Sequence, residues 1–155
     1  GLGDVYKRQD KRIKAGVFLV SGGNSEKMMR LCRSHAYKRG YNRTESEYND
    51  LQSDYMQYLT KVAEKGVENV NPVRKSYLTD PMTFAYFLRE RPVLMINALW
   101  DEAIPREAAL DFWEACGKPA IAWFPATHAS IWLLYPLISR KISHFLSSTF
   151  GLDGK

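Results

Sequence analysis

The chain of 155 residues is 45% hydrophobic and 25% charged, which excludes a disordered protein and fits one domain or part of a larger one. It has no run of about 18 apolar residues, so no membrane-spanning helix is predicted. Its two cysteines are too few for a disulfide framework or a cysteine-based zinc site. The net charge of +5 comes from residues 1–44, with 11 Lys and Arg against three Asp and Glu, whereas residues 45–155 have 11 against 14. Because the basic residues are scattered and form no nucleic-acid-binding motif, we interpret them as a solvated face and expect no nucleic-acid partner.

Residues 1–9 look unlike the start of a natural protein. They lack a Met and an apolar signal segment, and they show no helical or strand periodicity. They resemble a tail that recurs at the broken ends of unrelated translated metagenomic fragments, where adaptor sequence has been read as protein. We expect a non-native tail here, or a short disordered natural terminus, with natural sequence beginning near Asp10 and an upstream part missing.

A short apolar run over residues 15–20 predicts the first strand. Lys14 precedes the run and residues 21–23, Ser-Gly-Gly, end it, which is typical of a strand buried on both faces of a parallel sheet. Asn24 or Ser25 would cap the helix that follows.

Residues 25–90 have a different character, because they are polar, rich in tyrosine and without strand-like runs. The spacing of apolar residues over 51–62 predicts a helix that ends at Gly66. Residues 81–89 begin with Pro and continue with apolar residues, which predicts a second, short helix with Asp80 as its cap. About 65 residues between two strands is too long for an ordinary crossover connection. We therefore predict a helical insertion that covers another part of the molecule.

The rest of the chain alternates apolar runs with helical stretches. Residues 92–97 and 119–124 predict two more buried strands, with a helix between them over residues 105–115. A final amphipathic helix is expected over residues 131–150, interrupted or bent at Pro136. These strand–loop–helix units predict an α/β fold with a parallel sheet, whose functional loops leave the carboxyl ends of the strands.

Two residues in those loops suit acid–base chemistry. Asp101 and His128 each follow a predicted strand, and because one helix joins the two strands we expect the strands to be neighbours. Neighbouring strands lie about 4.8 Å apart, so the two side chains can meet. A carboxylate that binds one imidazole nitrogen orients the ring, and the other nitrogen can then take a proton from a nucleophile. The alternatives are a turn role for Asp101 and a backbone-bonded loop role for His128.

Two stretches carry a resemblance to a known family. Residues 91–105, RPVLMINALWDEAIP, contain an apolar strand opened by Pro, a short loop, an acid and a later Pro. Residues 125–132, PATHASIW, contain a histidine in the loop between the last strand and the final helix. With the acid 27 residues before the histidine, the chain from about residue 12 to 151 resembles the carboxyl-terminal half of an α/β-hydrolase. Within that family it looks most like the dienelactone hydrolase and acetyl xylan esterase types.

The resemblance implies an incomplete α/β-hydrolase fold in residues 10–155, with the last three parallel strands, their flanking helices and a lid-like insertion over residues 25–90. It implies that Asp101 is the orienting acid and His128 the general base of a serine hydrolase. The implied substrate is a small-molecule carboxylic ester, cleaved through an acyl-serine intermediate, and such a triad needs no cofactor or metal. A non-catalytic binding or regulatory protein on the same scaffold is the alternative.

The nucleophile of such a triad is not evident. The family pattern Gly-x-Ser-x-Gly does not occur, Ser21 lacks the glycine two residues before it, and Ser130 lies at the start of the last helix. The chain by itself is therefore expected to be inactive, with the nucleophile and oxyanion hole upstream. Trp100 and Trp132, near the candidate pair, would either line an apolar substrate pocket or serve as packing residues.

Overall fold

The computed structural model describes residues 12–38 and 40–152, and the expected tail of residues 1–9 lies outside these ranges. Strands and helices alternate along the described chain. In order, they are β1 (Gly16–Leu19), α1 (Ser25–Leu31), α2 (His35–Lys38), α3 (Glu45–Lys65), three 3₁₀ segments (Val67–Asn69, Lys75–Thr79 and Pro81–Leu88), β2 (Val93–Ala98), α4 (Arg106–Ala115), β3 (Ala120–Phe124), a fourth 3₁₀ segment (Ser130–Leu134) and α5 (Tyr135–Phe150).

The three strands form one parallel sheet in the order β1–β2–β3. Met95 of β2 lies opposite Phe18 on one side and opposite Ile121 on the other. Every residue of β2 is buried, as expected for a central strand with helices on both faces. The fold class is therefore α/β with a parallel sheet, as the apolar runs predicted.

The first strand is less buried than the apolar run over residues 15–20 predicted. All four residues of β1 are only half-buried, because β1 lies at one edge of the sheet that the described residues form. The last strand, β3, lies at the other edge and is exposed at Ala120 and half-buried beyond it. An apolar run indicates a strand, but it does not distinguish a central strand from an edge strand.

Hydrophobic cores form on both faces of the sheet. On one face Met95 packs with Phe112 of α4 and with tyrosines of α3, including Tyr58. On the other face Ile96 packs with Ile138 of α5. Because successive residues of a strand point to opposite faces, β2 contributes to both cores.

Residues 25–90 fold into helices and 3₁₀ segments. Helix α3 begins earlier than the apolar spacing over residues 51–62 indicated, because Thr44 and Glu47 form a reciprocal capping box at its start. Its buried side chains pack against the segment Pro81–Leu88, which also packs against α4. Most of this long segment therefore builds the core on the α4 face, and its role as a lid stays a prediction.

The short helix expected over residues 81–89 is a 3₁₀ segment, Pro81–Leu88, rather than an α-helix. Asp80 caps it as expected, because the Asp80 side chain accepts the N–H of Met82 at 3.0 Å. The same carboxylate is 3% exposed and also accepts backbone N–H groups at the start of α1. A cap that serves two segments has to lie between them, which explains its burial.

The final helix expected over residues 131–150 is divided in two. The 3₁₀ segment Ser130–Leu134 comes first, and α5 then begins with Pro136 in its first turn. Proline has no N–H to donate, but the first turn of a helix needs none, so the α-helix starts at this point instead of bending there. No helix of the described residues is long and apolar enough to cross a membrane.

Candidate active site

The pairing of β2 with β3 continues past the ends of both strands. The N–H groups of Leu99 and Trp100 donate to carbonyl groups of the β3 end and its loop at 2.8 and 3.0 Å. These hydrogen bonds hold the two loops together at the carboxyl edge of the sheet. Asp101 and His128 follow directly on these loops, so the backbone brings them to the same place.

Asp101 and His128 are in direct contact. The Nδ1 atom of His128 lies 3.1 and 3.0 Å from the two carboxylate oxygens of Asp101. The Asp101 side chain is 5% exposed, whereas the imidazole is 32% exposed. The acid is thus enclosed, while the histidine remains accessible from outside. Their catalytic roles stay a prediction, but the contact that those roles require is present.

Backbone donors orient the Asp101 carboxylate. Its Oδ1 atom accepts the N–H of Ala103 at 2.9 Å and that of Ile104 at 2.8 Å. Asp101 is therefore a turn residue and the partner of the imidazole at once, so the two interpretations of this residue are compatible. An ionised Asp101 accepts the Nδ1–H of His128, which leaves Nε2 without a hydrogen and able to accept a proton.

The outer nitrogen of His128 is available for chemistry. Within residues 12–38 and 40–152, no hydrogen bond to its Nε2 atom is present. The ring borders a cavity of about 230 Å³, which is also lined by Met28, Met29, Cys32, Ala103 and Ile104. A proton acceptor beside a space of ligand size is what a general base requires. The described part of the chain contains no group of three or more His, Cys, Asp or Glu residues that would bind a metal ion.

Neither of the two candidate serines contacts this histidine. The Oγ atom of Ser130 accepts the N–H of Thr127 at 2.9 Å, and the N–H of Ser130 donates to Oγ1 of Thr127 at 3.1 Å. This reciprocal pair closes the turn that contains His128. The Oγ atom of Ser21 is enclosed without a hydrogen-bond partner among the described residues. In this arrangement neither hydroxyl is positioned to give its proton to the imidazole.

Glu102 joins three parts of the site, and no sequence pattern marked it. Its Oε2 atom accepts the backbone N–H of His128 at 3.2 Å. Its carbonyl oxygen accepts the N–H groups of Arg33 and Ser34, both at 2.9 Å, and lies 3.3 Å from Sγ of Cys32. The histidine loop, the aspartate loop and the segment after α1 are therefore connected through one residue.

Trp100 and Trp132 remain largely exposed, at 60% and 56%. Neither belongs to the two hydrophobic cores, which does not fit a role as packing residues. Neither lines the cavity beside His128 either. Their contact with a substrate stays a prediction, and it would have to occur outside that cavity.

Comparisons with known proteins do not identify a family. No family model and no curated protein matches the chain. Among solved structures, the chain is similar to the acylaminoacyl peptidase of Pyrococcus horikoshii in its orthorhombic crystal form, with 18% sequence identity and a TM-score of 0.48. The similarity covers 82% of this chain but only 18% of that one. At this identity and TM-score the similarity establishes neither a family nor an activity.

Proposed function

We propose that the chain is the carboxyl-terminal part of an α/β-hydrolase that cleaves a carboxylic ester through an acyl-serine intermediate. Asp101 orients the imidazole, and His128 acts as the general base. The observation that carries the proposal is the 3.0 Å contact between Nδ1 of His128 and the enclosed Asp101 carboxylate, at the carboxyl ends of neighbouring parallel strands. The serine and the oxyanion hole come from upstream sequence in this proposal.

The reaction follows from the orientation of the imidazole. The Nε2 atom of His128 takes the proton of the serine hydroxyl while the serine oxygen attacks the ester carbonyl. The imidazolium then gives this proton to the leaving alcohol. A water molecule, activated by the same nitrogen, attacks the acyl-serine and releases the acid. Asp101 stays ionised throughout and stabilises the charged ring.

A non-catalytic binding or regulatory protein on the same scaffold is the second candidate. It is supported by the positions of Ser21 and Ser130, since neither hydroxyl engages His128. The two candidates differ in the upstream sequence that they require. A hydrolase needs Gly-x-Ser-x-Gly after a buried strand, whereas a binding protein does not.

The experiment that decides between them begins with the source DNA upstream of the Asp10 codon. We expect the reading frame to continue for about 150 residues, as five strand-and-helix units of about 30 residues each, and to contain Gly-x-Ser-x-Gly. The extended protein should hydrolyse p-nitrophenyl esters and react with a fluorophosphonate probe. The 155-residue chain by itself should do neither.

In the extended protein, His128→Ala and Asp101→Asn should each lower kcat/KM by about 10³- to 10⁴-fold, because proton transfer to a correctly oriented imidazole is lost. His144→Ala is the matched control and should keep full activity, because His144 is exposed on α5. A frame that starts near Asp10 would contradict the proposal and favour the binding protein, whereas hydrolysis that survives His128→Ala would contradict the role of His128 as the general base.

A further inference from the structure

The cavity beside His128 has two walls from different parts of the chain. Helix α1 and the residue after it form one wall, and the loop that follows Asp101 forms the other. The imidazole lies between them, so a group inside the cavity is next to the proposed base. The residues that line it are Met28, Met29, Cys32, Ala103, Ile104 and His128.

Both ends of α1 are anchored, so its wall of the cavity is preformed. At the start of the helix, Asp80 accepts the N–H of Asn24 at 3.0 Å and the N–H and Oγ–H of Ser25 at 2.6 and 2.7 Å. Just after the helix, the carbonyl of Glu102 accepts the N–H groups of residues 33 and 34 at 2.9 Å. A ligand that enters does not have to order this helix first, and preorganisation of this kind favours binding.

The lining suits an apolar group and not a polar one. Its polar side-chain groups are the imidazole and the Cys32 thiol, and the thiol lies 3.3 Å from the Glu102 carbonyl, to which it donates. A ligand hydroxyl that does not reach the Nε2 atom of His128 would therefore leave water without gaining a side-chain partner, which is unfavourable. A buried methylene, in contrast, improves affinity by about four-fold. The two methionines can also adjust their shape to different apolar groups.

The volume indicates the size of the group that the cavity can enclose. The cavity holds about 230 Å³, and an apolar cavity of about 150 Å³ is already large enough for benzene. A short aliphatic chain or a single aromatic ring fits this space. A long fatty acyl chain would extend out of this space, and most hydroxyl groups of a sugar ring would have no side-chain partner inside it.

We infer that this cavity binds a compact apolar group of the substrate, a short aliphatic chain or one aromatic ring, beside the carbonyl that reacts. The ester carbonyl rests on the proposed function, but the apolar binding itself needs neither a nucleophile nor turnover. The 155-residue chain can therefore be used directly to test it.

The test follows the methyl groups of methionine by NMR in the ¹³C-labelled chain. Methyl benzoate should shift the Met28 and Met29 resonances in a saturable manner. Met56 should not respond, because it lies on α3 and is 43% exposed outside this cavity. Methyl isobutyrate should bind about ten-fold more tightly than methyl lactate, in which a hydroxyl replaces one methyl group.

Variants of one cavity residue make the test specific. Met29→Phe fills the space and should weaken the Met28 response by at least about ten-fold, whereas Met29→Leu conserves volume and should leave it intact. The Met95 resonance reports folding, because Met95 is fully buried on β2. If Met29→Phe does not fold, Ile104→Ala is the alternative variant. Ile104→Ala enlarges the cavity, so it should bind methyl 1-naphthoate more tightly than methyl benzoate.

Uniform, non-saturable shifts at all methionines, or equal affinity for methyl isobutyrate and methyl lactate, would overturn the inference. Its failure is distinguishable from failure of the proposed function. If the chain binds the ligand saturably but the extended protein does not hydrolyse esters, the inference about the cavity stands and the proposed esterase function is wrong. If hydrolysis depends on His128 but Met29→Phe does not change substrate preference, the inference about the cavity is wrong and the proposed esterase function stands.

Discussion

The loops that carry Asp101 and His128 and the long segment between β1 and β2 are held in place by different means. The loops follow directly from neighbouring strands and are joined by backbone hydrogen bonds, such as that from Trp100 to Ala126 at 3.0 Å. The long segment depends on buried side chains, above all on the Asp80 carboxylate and the tyrosines of α3. Strand ends are positioned by regular backbone geometry, whereas the segment needs contacts between residues that are distant in sequence.

This difference matters at the cavity, because each region provides one of its walls. Changes in the long segment should displace α1 and alter the cavity, while they leave the contact between Asp101 and His128 intact. Changes at the strand ends should disrupt that contact and should also alter the cavity wall that the loop after Asp101 forms. Single substitutions in each region test how separate the two regions are.

Asp80→Ala should have the largest effect on stability. It removes the acceptor for the buried N–H groups of Asn24 and Met82 and for the part-buried N–H of Ser25. Because unpaired buried donors are costly, we expect the free energy of unfolding to fall by about 3 kcal/mol, as measured by urea unfolding. Asp54→Ala, at an exposed position of α3, should change it by less than about 0.5 kcal/mol. Equal stability of the two variants would show that the segment does not depend on its buried carboxylate.

Alkaline pH should weaken the same segment through its tyrosines. Burial raises the pKa of Tyr55, Tyr58 and Tyr77 above the usual value of 10.0. The unfolded chain loses these protons near pH 10 while the folded chain keeps them. The free energy of unfolding is therefore intact below pH 10 and decreases as the pH rises above it, by about 1.4 kcal/mol at pH 11 for Tyr55 alone.

Urea unfolding at pH 8 and pH 11 measures this loss. Tyr55→Phe should reduce the difference between the two pH values, because it removes one group that titrates differently in the two states. Tyr135→Phe is the control, since Tyr135 is 60% exposed and lies on α5 rather than in the long segment. If both variants keep the full loss, Tyr55 is not a source of it.

Sequence patterns predicted β2, β3 and the loops that follow them well, because apolar runs indicate burial directly. The runs over residues 92–97 and 119–124 correspond to adjacent parallel strands. Once two neighbouring strands are known, the residues just past their ends must lie at one edge of the sheet. That placement brings Asp101 and His128 within reach of each other, whereas their catalytic roles stay a prediction.

The long segment was harder to predict, because its determinants are individual contacts rather than periodic patterns. Thr44 and Glu47 were a readable signal for the start of α3, as a Thr-x-x-Glu capping box. Asp80 was expected to cap one segment, but its second role at the start of α1 depends on a tertiary contact. Glu102 gave no signal at all, because its partners are backbone groups, which are the same in every residue type.

Glu102→Ala should have the smallest effect and be the most informative about the junction of the two regions. The carbonyl of Glu102 still accepts from Arg33 and Ser34 in this variant, so only the hydrogen bond to the His128 N–H is lost. One such bond is worth about 1 kcal/mol, so amide hydrogen exchange at His128 should accelerate by about five-fold. In the extended protein kcat should fall by a similar factor with little change in KM, because the imidazole is held less firmly.

Glu102→Gln separates this positioning role from a general effect on stability, because its side-chain oxygen can still accept the N–H. It should restore slow exchange at His128 and most of kcat. If Glu102→Gln and Glu102→Ala behave alike, the histidine loop is held by its backbone pairing alone, as the strand ends are. If Glu102→Gln restores slow exchange and kcat, the histidine loop also depends on the side chain of Glu102, 26 residues away. The long segment depends on Asp80 in the same way. The position of His128 would then depend both on backbone pairing at the strand ends and on a side-chain contact between residues distant in sequence.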